Sequence, residues 1–359
     1  MAQGAAPGEH LPPIRHVFII VLENQSFAGT FASNSVAPYL AHSLPAQGVL
    51  LTQYYAIGHA SLPNYVAMIS GQAPNEATQL DCPVFGEFQP AAPRPNGDGQ
   101  LPGVGCVYPA SVGTLPGQLE ASGLTWKAYL EDMGNDPARE PATCAHVAVG
   151  APDRTASASA RDQYATKHNP FVYFHSIIDE RARCAAAVVN LVALPRDLRS
   201  AAGTANFSFI VPNLCNDGHD QPCADGRRGG LHEIDAFLRQ WVPLITRSPA
   251  FRDSGLLVIT FDESDARGSQ GSSACCDERG LPGARYQPGF NGPGGGPVGA
   301  VVLSPFVKAG TVSSVPYNHY SLLRTIEAIF ALPRLGYAGQ SGLRAFGADV
   351  FGAGAVPRD

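Results

Sequence analysis

The chain has 359 residues, of which 45% are hydrophobic and 15% charged, so it can bury a substantial core. Its formal net charge of −6 and the lack of a Lys- and Arg-rich stripe with interleaved aromatics argue against a nucleic-acid partner. No apolar run approaches the roughly 20 residues that a membrane-spanning helix needs, so we expect no transmembrane segment.

Four apolar runs predict the strands of the fold. They are rich in Val, Ile and Phe and lack strict alternation, which is typical of strands buried in a parallel sheet. In chain order these runs are Val17–Leu22, Phe207–Val211, Leu256–Phe261 and Val298–Leu303. Helical patterns lie between or after them, at 231–245 and 318–330. Strands that alternate with helices predict an α/β fold, with helices on both faces of a mostly parallel sheet.

We expect a single domain over residues 14–359, preceded by an N-terminal extension over residues 1–13. The sequence has no internal repeat and no convincing linker. Loop-rich stretches at about 74–118 and 264–297 are predicted to be insertions over one face of that domain.

The eight cysteines are even in number and lack the CxxC pairs of a zinc site. Proximity in sequence suggests the pairs 82–106, 144–184, 215–223 and 275–276, although eight cysteines allow 105 pairings. A disulfide-linked chain is typical of an oxidising compartment, and reduced core cysteines in a cytosolic protein are the alternative. We therefore expect a secreted or periplasmic protein, although the N-terminal extension lacks the apolar segment of a signal peptide.

Polar side chains follow three of the predicted strands. Because the carboxyl ends of parallel strands meet at one edge of a sheet, we expect these side chains to lie together. Crowded carboxylates repel one another unless a cation lies among them, and oxygen and imidazole ligands suit Ca²⁺, Mg²⁺, Mn²⁺ or Zn²⁺. The sequence therefore predicts a divalent metal site of undetermined identity and ion number. Its candidate ligands are Glu23, Asn24, Asp217, His219, Asp262 and Glu263.

Two of these ligands have a structural alternative. Asp217 and His219 lie beside Cys215 and could belong to a disulfide-bounded loop with no chemical role. An acidic residue after a strand can also simply cap the next helix.

The segment HASLPNYVAMISG, residues 59–71, offers a candidate nucleophile. Ser61 could supply a hydroxyl at a helix N-terminus, where developing negative charge is favoured. The alternative is an ordinary N-cap, with Pro63 at the first helical position. The absence of a GxSxG elbow argues against a serine esterase. Three histidines could bind phosphate oxygens or protonate a leaving group: His59, His168 and His319.

Six segments resemble a known family. In chain order they are HVFIIVLENQSF, HASLPNYVAMISG, KHNPFVYF, PNLCNDGHD, VITFDESD and VPYNHYSLLRTIEAIF. Together, from about residue 14 to 333, they are similar to the bacterial and fungal phosphoesterases that include acid phosphatases and phospholipases C, within the alkaline phosphatase superfamily. The resemblance implies an alkaline-phosphatase-like three-layer α/β sandwich. It also implies a metal-activated Ser or Thr that forms a covalent phospho-enzyme.

The resemblance assigns roles position by position. Ser61 matches the nucleophile, and His168 and His319 match histidines near the phosphate. Asp217 and His219 match a segment where the superfamily often holds a second metal, and family members differ in how many metals they retain. Glu23 and Asn24 match a pair expected to bind metal and phosphate, and Asp262 and Glu263 match a metal-binding pair.

The predicted function is a metal-dependent phosphoric ester hydrolase that works through a phosphoserine. Two departures from the phospholipase pattern, ENQSFAGTFA for ENRSFDHYFG and YFHSI for YFDSI, favour an acid-phosphatase-like phosphomonoesterase acting on a small phosphate ester. A phospholipase C that releases a phosphorylated head group is the alternative. A non-catalytic, cation-stabilised binding protein is an alternative of another class, and the oligomeric state is left open.

Overall fold

A central eight-stranded sheet organises the protein, as seen in a computed structural model that describes residues 11–265 and 270–352. The described residues form strands β1 to β12: His16–Leu22, Val49–Leu51, Tyr54–Tyr55, Gln89–Pro90, Gly103–Val104, Trp126–Leu130, Val188–Asn190, Phe207–Val211, Gly255–Phe261, Ala300–Leu303, Thr311–Ser313 and Tyr317–Asn318. The strand order of the large sheet is β11-β2-β10-β9-β1-β8-β6-β7. Two two-stranded sheets, β12-β3 and β4-β5, complete the set.

The prediction of a mostly parallel sheet is confirmed, with one correction. The pairs β9-β1, β1-β8, β8-β6, β6-β7 and β11-β2 are parallel. The predicted strand at 298–303 begins at Ala300, and it runs antiparallel to both of its neighbours, β9 and β2. No helix is found between β9 and β10 in the described part of that connection. The chain therefore re-enters the sheet from the edge at which β9 ends, and a strand that does so must run backwards.

Helices flank this sheet. In the described residues α1 to α10 are Phe27–Thr30, Ser61–Ser70, Leu115–Ala121, His175–Ile178, Arg181–Ala187, Leu194–Asp197, Leu231–Thr246, Pro249–Ser254, His319–Ile329 and Ala348–Phe351. A π-helical turn covers Tyr39–Ser43. Short 3₁₀ turns cover Pro45–Gln47, Thr78–Leu80, Thr166–His168, Pro170–Tyr173, Leu191–Ala193 and Gly336–Gly339. The two predicted helices are confirmed as α7 and α9, each within a residue or two of its expected ends.

The helices lie on both faces of the sheet, as predicted. Phe18 of β1 contacts Phe251 of α8, with ring centroids 6.4 Å apart. Ile19 points to the opposite face, because successive side chains of a strand alternate. On that face its parallel partner Phe209 meets Tyr65 of α2, with centroids 6.2 Å apart. Helices α8 and α2 therefore cover opposite faces.

The four cysteine pairs suggested by sequence proximity are all formed: Cys82–Cys106, Cys144–Cys184, Cys215–Cys223 and Cys275–Cys276. Among the described residues, no helix has both the length and the apolarity needed to cross a membrane.

The domain limits at 14 and 359 and the two insertions stay predictions. Residues 1–10 of the N-terminal extension, 266–269 of the second insertion and 353–359 at the end of the domain lie outside the described residues.

Ile19→Ala should lower the free energy of unfolding by about 2–5 kcal/mol, because it empties space in the fully buried β1 at the middle of the sheet. Val192→Ala, at a position whose side chain is 79% exposed, is the control and should change it by less than about 0.5 kcal/mol. Urea unfolding of both variants measures the difference. Equal midpoints for the two variants would contradict the assignment of β1 to the core.

Candidate active site

Three neighbouring parallel strands deliver acidic side chains to one edge of the sheet. Glu23 follows β1, Asp262 follows β9, and Asp217 lies in the loop after β8. Backbone hydrogen bonds hold these ends together: the Glu23 amide donates to the Asp217 carbonyl over 2.9 Å, and the Asp262 amide donates to the Leu22 carbonyl over 2.8 Å. The Asn24 amide donates to Asp262 Oδ1 over 3.1 Å. All three carboxylates are buried.

Ser61 is the first residue of α2, and its hydroxyl points to this edge. Ser61 Oγ donates a hydrogen bond to Glu23 Oε2 over 2.9 Å. Its predecessor Ala60 has φ 70°, a left-handed conformation rare for a residue with a Cβ. Such an outlier is typical of a turn that the surrounding structure forces for a functional reason.

The capping alternative for Ser61 is wrong. Ala60 occupies the N-cap position, and no side chain caps the helix there. Pro63, expected at the first helical position, is the third helical residue. Proline fits there as well, because the first-turn amides have no intrahelical acceptor.

Glu23 is the most connected carboxylate of the site. Its Oε1 accepts a hydrogen bond from the Tyr65 hydroxyl over 2.7 Å, and its Oε2 accepts from Ser61 and from Asn24 Nδ2, the latter over 3.2 Å. Burial raises the pKa of Glu23 well above its ordinary value, and the nearby Asp262 and Asp217 raise it further.

His168 lies between two of the carboxylates. Its Nε2 is 3.2 Å from Glu23 Oε1, and its Nδ1 is 3.1 Å from Asp217 Oδ2. Its ring stacks on Tyr65 with centroids 5.2 Å apart. Burial lowers the pKa of His168 well below its usual value, and the nearby Lys167 and His219 lower it further. A lowered pKa favours the neutral ring, in which one nitrogen carries a lone pair.

The site fits a divalent cation. Asp262 Oδ2 is buried with no hydrogen-bond partner among the described residues, and Asp217 Oδ2 and His168 Nε2 are buried with only the close contacts between His168 and the two carboxylates. Burial is the main cause that raises the pKa values of Asp217 and Asp262, and in both a neighbouring carboxylate adds to it. A bound cation would stabilise these buried carboxylates, because a buried charge without a partner is costly. Ligand atoms of Glu23, His168 and His219 lie within 4.8 Å of one another.

His59 and Glu263 form a separate pair beside this group. His59 Nδ1 contacts Glu263 Oε2, and His59 Nε2 lies 2.9 Å from the Gly271 carbonyl and 3.0 Å from Ser272 Oγ. Both side chains are buried, and the exposed ring of Phe290 stacks on His59. His59 is therefore the side chain that Glu263 contacts in the structure. The role of Glu263 as a metal ligand stays a prediction.

His319 contacts the backbone of Asp262 and is fully buried. Its Nε2 lies 2.6 Å from the Asp262 carbonyl, and its Nδ1 lies 3.1 Å from the Tyr54 hydroxyl. A carbonyl can only accept, so Nε2 carries the proton and Nδ1 accepts from Tyr54. Burial lowers the pKa of His319 to about 4. Both ring nitrogens thus contact protein groups, and the role of His319 near the phosphate stays a prediction.

His219 is engaged on both sides of its ring. Its amide donates to Asp217 Oδ1 over 2.8 Å, and its Nδ1 lies 2.8 Å from Asp220 Oδ1. Its Nε2 lies 3.1 Å from Lys167 Nζ. The structure thus brings His219 to the edge but gives its Nε2 lone pair a protein donor, and its role as a ligand stays a prediction.

The sequence interpretation missed three residues at this edge: Tyr65, Asp81 and Lys167. Lys167 directly precedes His168 in the KHNP segment, which is a signal that could have identified it. Asp81 lies in a long loop, and nothing in the sequence places it near Ser61. Its contact is tertiary: Asp81 Oδ1 accepts from the Leu62 amide over 2.9 Å.

A model of the Phosphoesterase family matches residues 29–333. The chain is 29% identical over 328 residues to the phosphatidylinositol-3-phosphatase of Mycobacterium tuberculosis, covering 91% of this chain and 81% of that protein. It is 26% identical over 317 residues to the phosphate-repressible acid phosphatase of Penicillium chrysogenum, covering 88% of this chain and 59% of that protein. The chain thus spans about three fifths of this fungal relative.

Two solved structures of low sequence identity align with most of the chain. The PsFucS1 sulfatase from Pseudoalteromonas sp. aligns with a TM-score of 0.51 at 12% identity, covering 96% of this chain and 74% of that chain. A protein of the alkaline phosphatase superfamily from Vibrio parahaemolyticus aligns with a TM-score of 0.49 at 12% identity, covering 89% and 67%. The strand topology and the alignment with the sulfatase confirm the predicted α/β sandwich around a mostly parallel sheet.

Addition of Ca²⁺, Mg²⁺, Mn²⁺ or Zn²⁺ to chelator-treated protein should raise Tm by several degrees for the ion that fits, because ion binding relieves the repulsion among buried carboxylates. Asp262→Asn should raise the Tm of the metal-free protein and abolish most of the ion-induced shift. Differential scanning calorimetry measures both.

Glu327→Gln is the matched control, since Glu327 is a buried carboxylate about two helical turns beyond His319 on α9. This variant should keep the ion-induced shift. The metal assignment is wrong if no ion changes Tm, or if Asp262→Asn responds as the wild type does.

Proposed function

The chain belongs to the Phosphoesterase family and is a phosphoric ester hydrolase, and we propose that it is a metal-dependent phosphomonoesterase with Ser61 as its nucleophile. The observation that supports this most is the 2.9 Å hydrogen bond from Ser61 Oγ to Glu23 Oε2, at an edge where the buried Asp262 Oδ2 lacks a hydrogen-bond partner among the described residues. Relatives named as phosphatases support a monoester substrate.

The first step uses the contact between Ser61 and Glu23. Ser61 Oγ attacks phosphorus while its proton passes to Glu23 Oε2, the atom to which it is already hydrogen-bonded. The bond between phosphorus and the alcohol oxygen breaks, and that oxygen takes a proton from a water molecule. The products are the free alcohol, a hydroxide ion and a phosphoserine at position 61.

The second step regenerates the enzyme. The hydroxide attacks the same phosphorus atom, the bond to Ser61 Oγ breaks, and Ser61 recovers its proton from Glu23. Inorganic phosphate leaves. Ser61 lies in the first turn of the ten-residue α2, where the helix dipole favours the negative charge that develops in both steps.

A divalent ion completes the site in this proposal. Glu23, Asp217, Asp262 and His168 would hold it, as their buried and partly unpaired atoms support. When bound, such an ion lowers the pKa of a neighbouring hydroxyl and stabilises phosphoryl oxygens. The roles of Asn24, Glu263 and His219 as further ligands remain part of the proposal.

The compartment is also proposed. Four disulfides are consistent with an oxidising environment, so we expect the protein outside the cytosol, secreted or periplasmic.

Ser61→Ala should lower kcat for p-nitrophenyl phosphate by on the order of 10⁴-fold or more, because the nucleophile is lost while the metal ligands remain. The matched control is Ser70→Ala, on the same helix, which removes a buried hydroxyl bonded to the Val66 carbonyl and should keep wild-type activity. Acid-quenched wild-type enzyme should carry one phosphate on Ser61 by mass spectrometry.

Substrate class is tested with p-nitrophenyl phosphate against p-nitrophenyl phosphorylcholine, each with and without chelator. The proposal expects faster hydrolysis of the monoester and loss of activity with chelator. Preference for the phosphorylcholine ester would favour the phospholipase C alternative. Turnover of neither substrate, with every ion tried, would favour the non-catalytic binding protein.

A further inference from the structure

Lys167 places an ammonium group at the edge that holds the candidate nucleophile. Its Nζ lies 3.1 Å from Asp81 Oδ2 and 3.1 Å from His219 Nε2. The side chain is only 13% exposed. An ammonium has three N–H groups, and these two acceptors account for two of them among the described residues. One N–H is therefore left to donate to a bound ligand.

Asp81 fixes the position of this ammonium relative to Ser61. Its Oδ1 accepts from the amide of Leu62, the residue after Ser61, while its Oδ2 accepts from Lys167. Asp81 and Cys82 both have left-handed backbones, with φ 56° and 51°, and Cys82 is bonded to Cys106. A helix amide thus holds the carboxylate, and a disulfide ties down the residue that follows it.

The charges at the edge require a cation of this kind. Burial alone would lower the pKa of Lys167, but Asp81, Glu23 and Asp262 outweigh it, and the pKa is raised. Lys167 in turn lowers the pKa values of Glu23 and Asp217, although burial dominates both. A phosphate monoester adds about two further negative charges at neutral pH. A fixed ammonium offsets part of that charge with no ion bound.

We infer that Lys167 is a catalytic residue that donates a hydrogen bond to an oxygen of the transferring phosphoryl group, and that Asp81 is the residue that positions it. The inference rests on the proposed phosphoryl transfer at Ser61. Negative charge on those oxygens is spread over the transition state, and a preorganised cationic donor stabilises it. No bond to Lys167 is made or broken.

Lys167→Ala should lower kcat/KM for p-nitrophenyl phosphate by about 10²- to 10³-fold, the usual cost of one transition-state donor. Methylammonium or ethylammonium ions should restore part of the rate with saturating concentration dependence, because a free amine can enter the vacated space. Lys127→Ala is the matched control: Lys127 also pairs with an aspartate, Asp197, but lies near the start of β6, away from the carboxyl edge. This variant should keep wild-type kcat/KM and show no response to amines.

Asp81→Asn tests the positioning role. Asparagine keeps an oxygen for the Leu62 amide but loses the charge that holds Lys167. We expect a smaller loss of kcat/KM than in Lys167→Ala, no rescue by amines, and almost no further loss when both substitutions are combined. Multiplicative losses in the double variant would overturn the positioning role.

Binding of inorganic phosphate, measured by isothermal titration calorimetry, separates the failure of this inference from that of the proposed function. If the wild type hydrolyses nothing but Lys167→Ala weakens phosphate binding, the proposed function fails and the role of Lys167 as a phosphoryl contact stands. The inference is wrong if Ser61→Ala is inactive while Lys167→Ala matches the wild type. It is also wrong if Lys167→Ala has wild-type Tm and loses kcat/KM that amines do not restore. Lys167→Met, which keeps the apolar stem, replaces Lys167→Ala in the kinetic and binding assays should the latter not fold.

Discussion

Electrostatic repulsion among buried carboxylates is the constraint on which the site depends. Glu23, Asp217 and Asp262 stand at the ends of three adjacent parallel strands, and backbone hydrogen bonds between those ends prevent them from moving apart. Their pKa values are raised because burial opposes ionisation, and in each a neighbouring carboxylate adds to the effect. A protein gains no stability from such an arrangement. Its value is chemical, since it creates a place where a cation is strongly favoured.

The neighbours of this group follow from the same constraint. Glu23 accepts hydrogen bonds from Ser61 and Tyr65, which lie one turn apart on α2. The ring of His168 stacks on Tyr65. The hydroxyl proposed to react is thus part of the network that makes the buried charge tolerable. Lys167 extends the network on its outer side, and the buried His319 contacts the Asp262 backbone.

Much of the fold could be predicted from the sequence because its signals are local. Buried strands such as β8 are continuous apolar runs, and helix α9 shows its apolar face in the spacing of its leucines and isoleucines. The direction of β10 could not be predicted, since it depends on where the chain travels after β9. The cysteine pairs could be predicted because each joins cysteines that are close in sequence. The largest separation, between Cys144 and Cys184, is 40 residues.

The site divides in the same way. Strand topology was enough to gather Glu23, Asp217 and Asp262, because parallel strands share an edge. The contact between Asp81 and Lys167, 86 residues apart, depends on how a loop folds over α2, and composition holds no signal for it. Likewise, His319 resembled a proton donor in sequence, and only its two hydrogen bonds show that both nitrogens are engaged.

The Cys82–Cys106 bridge has a practical consequence for anyone who purifies this protein. It sits next to Asp81, and both of its cysteines are buried in the main hydrophobic core. Reduction of this bridge would therefore loosen the packing of that core as well as the segment that carries Asp81, and it would lower thermal stability and specific activity together. Preparations that differ in disulfide content would then differ in specific activity, and a free-thiol titration under denaturing conditions would distinguish them.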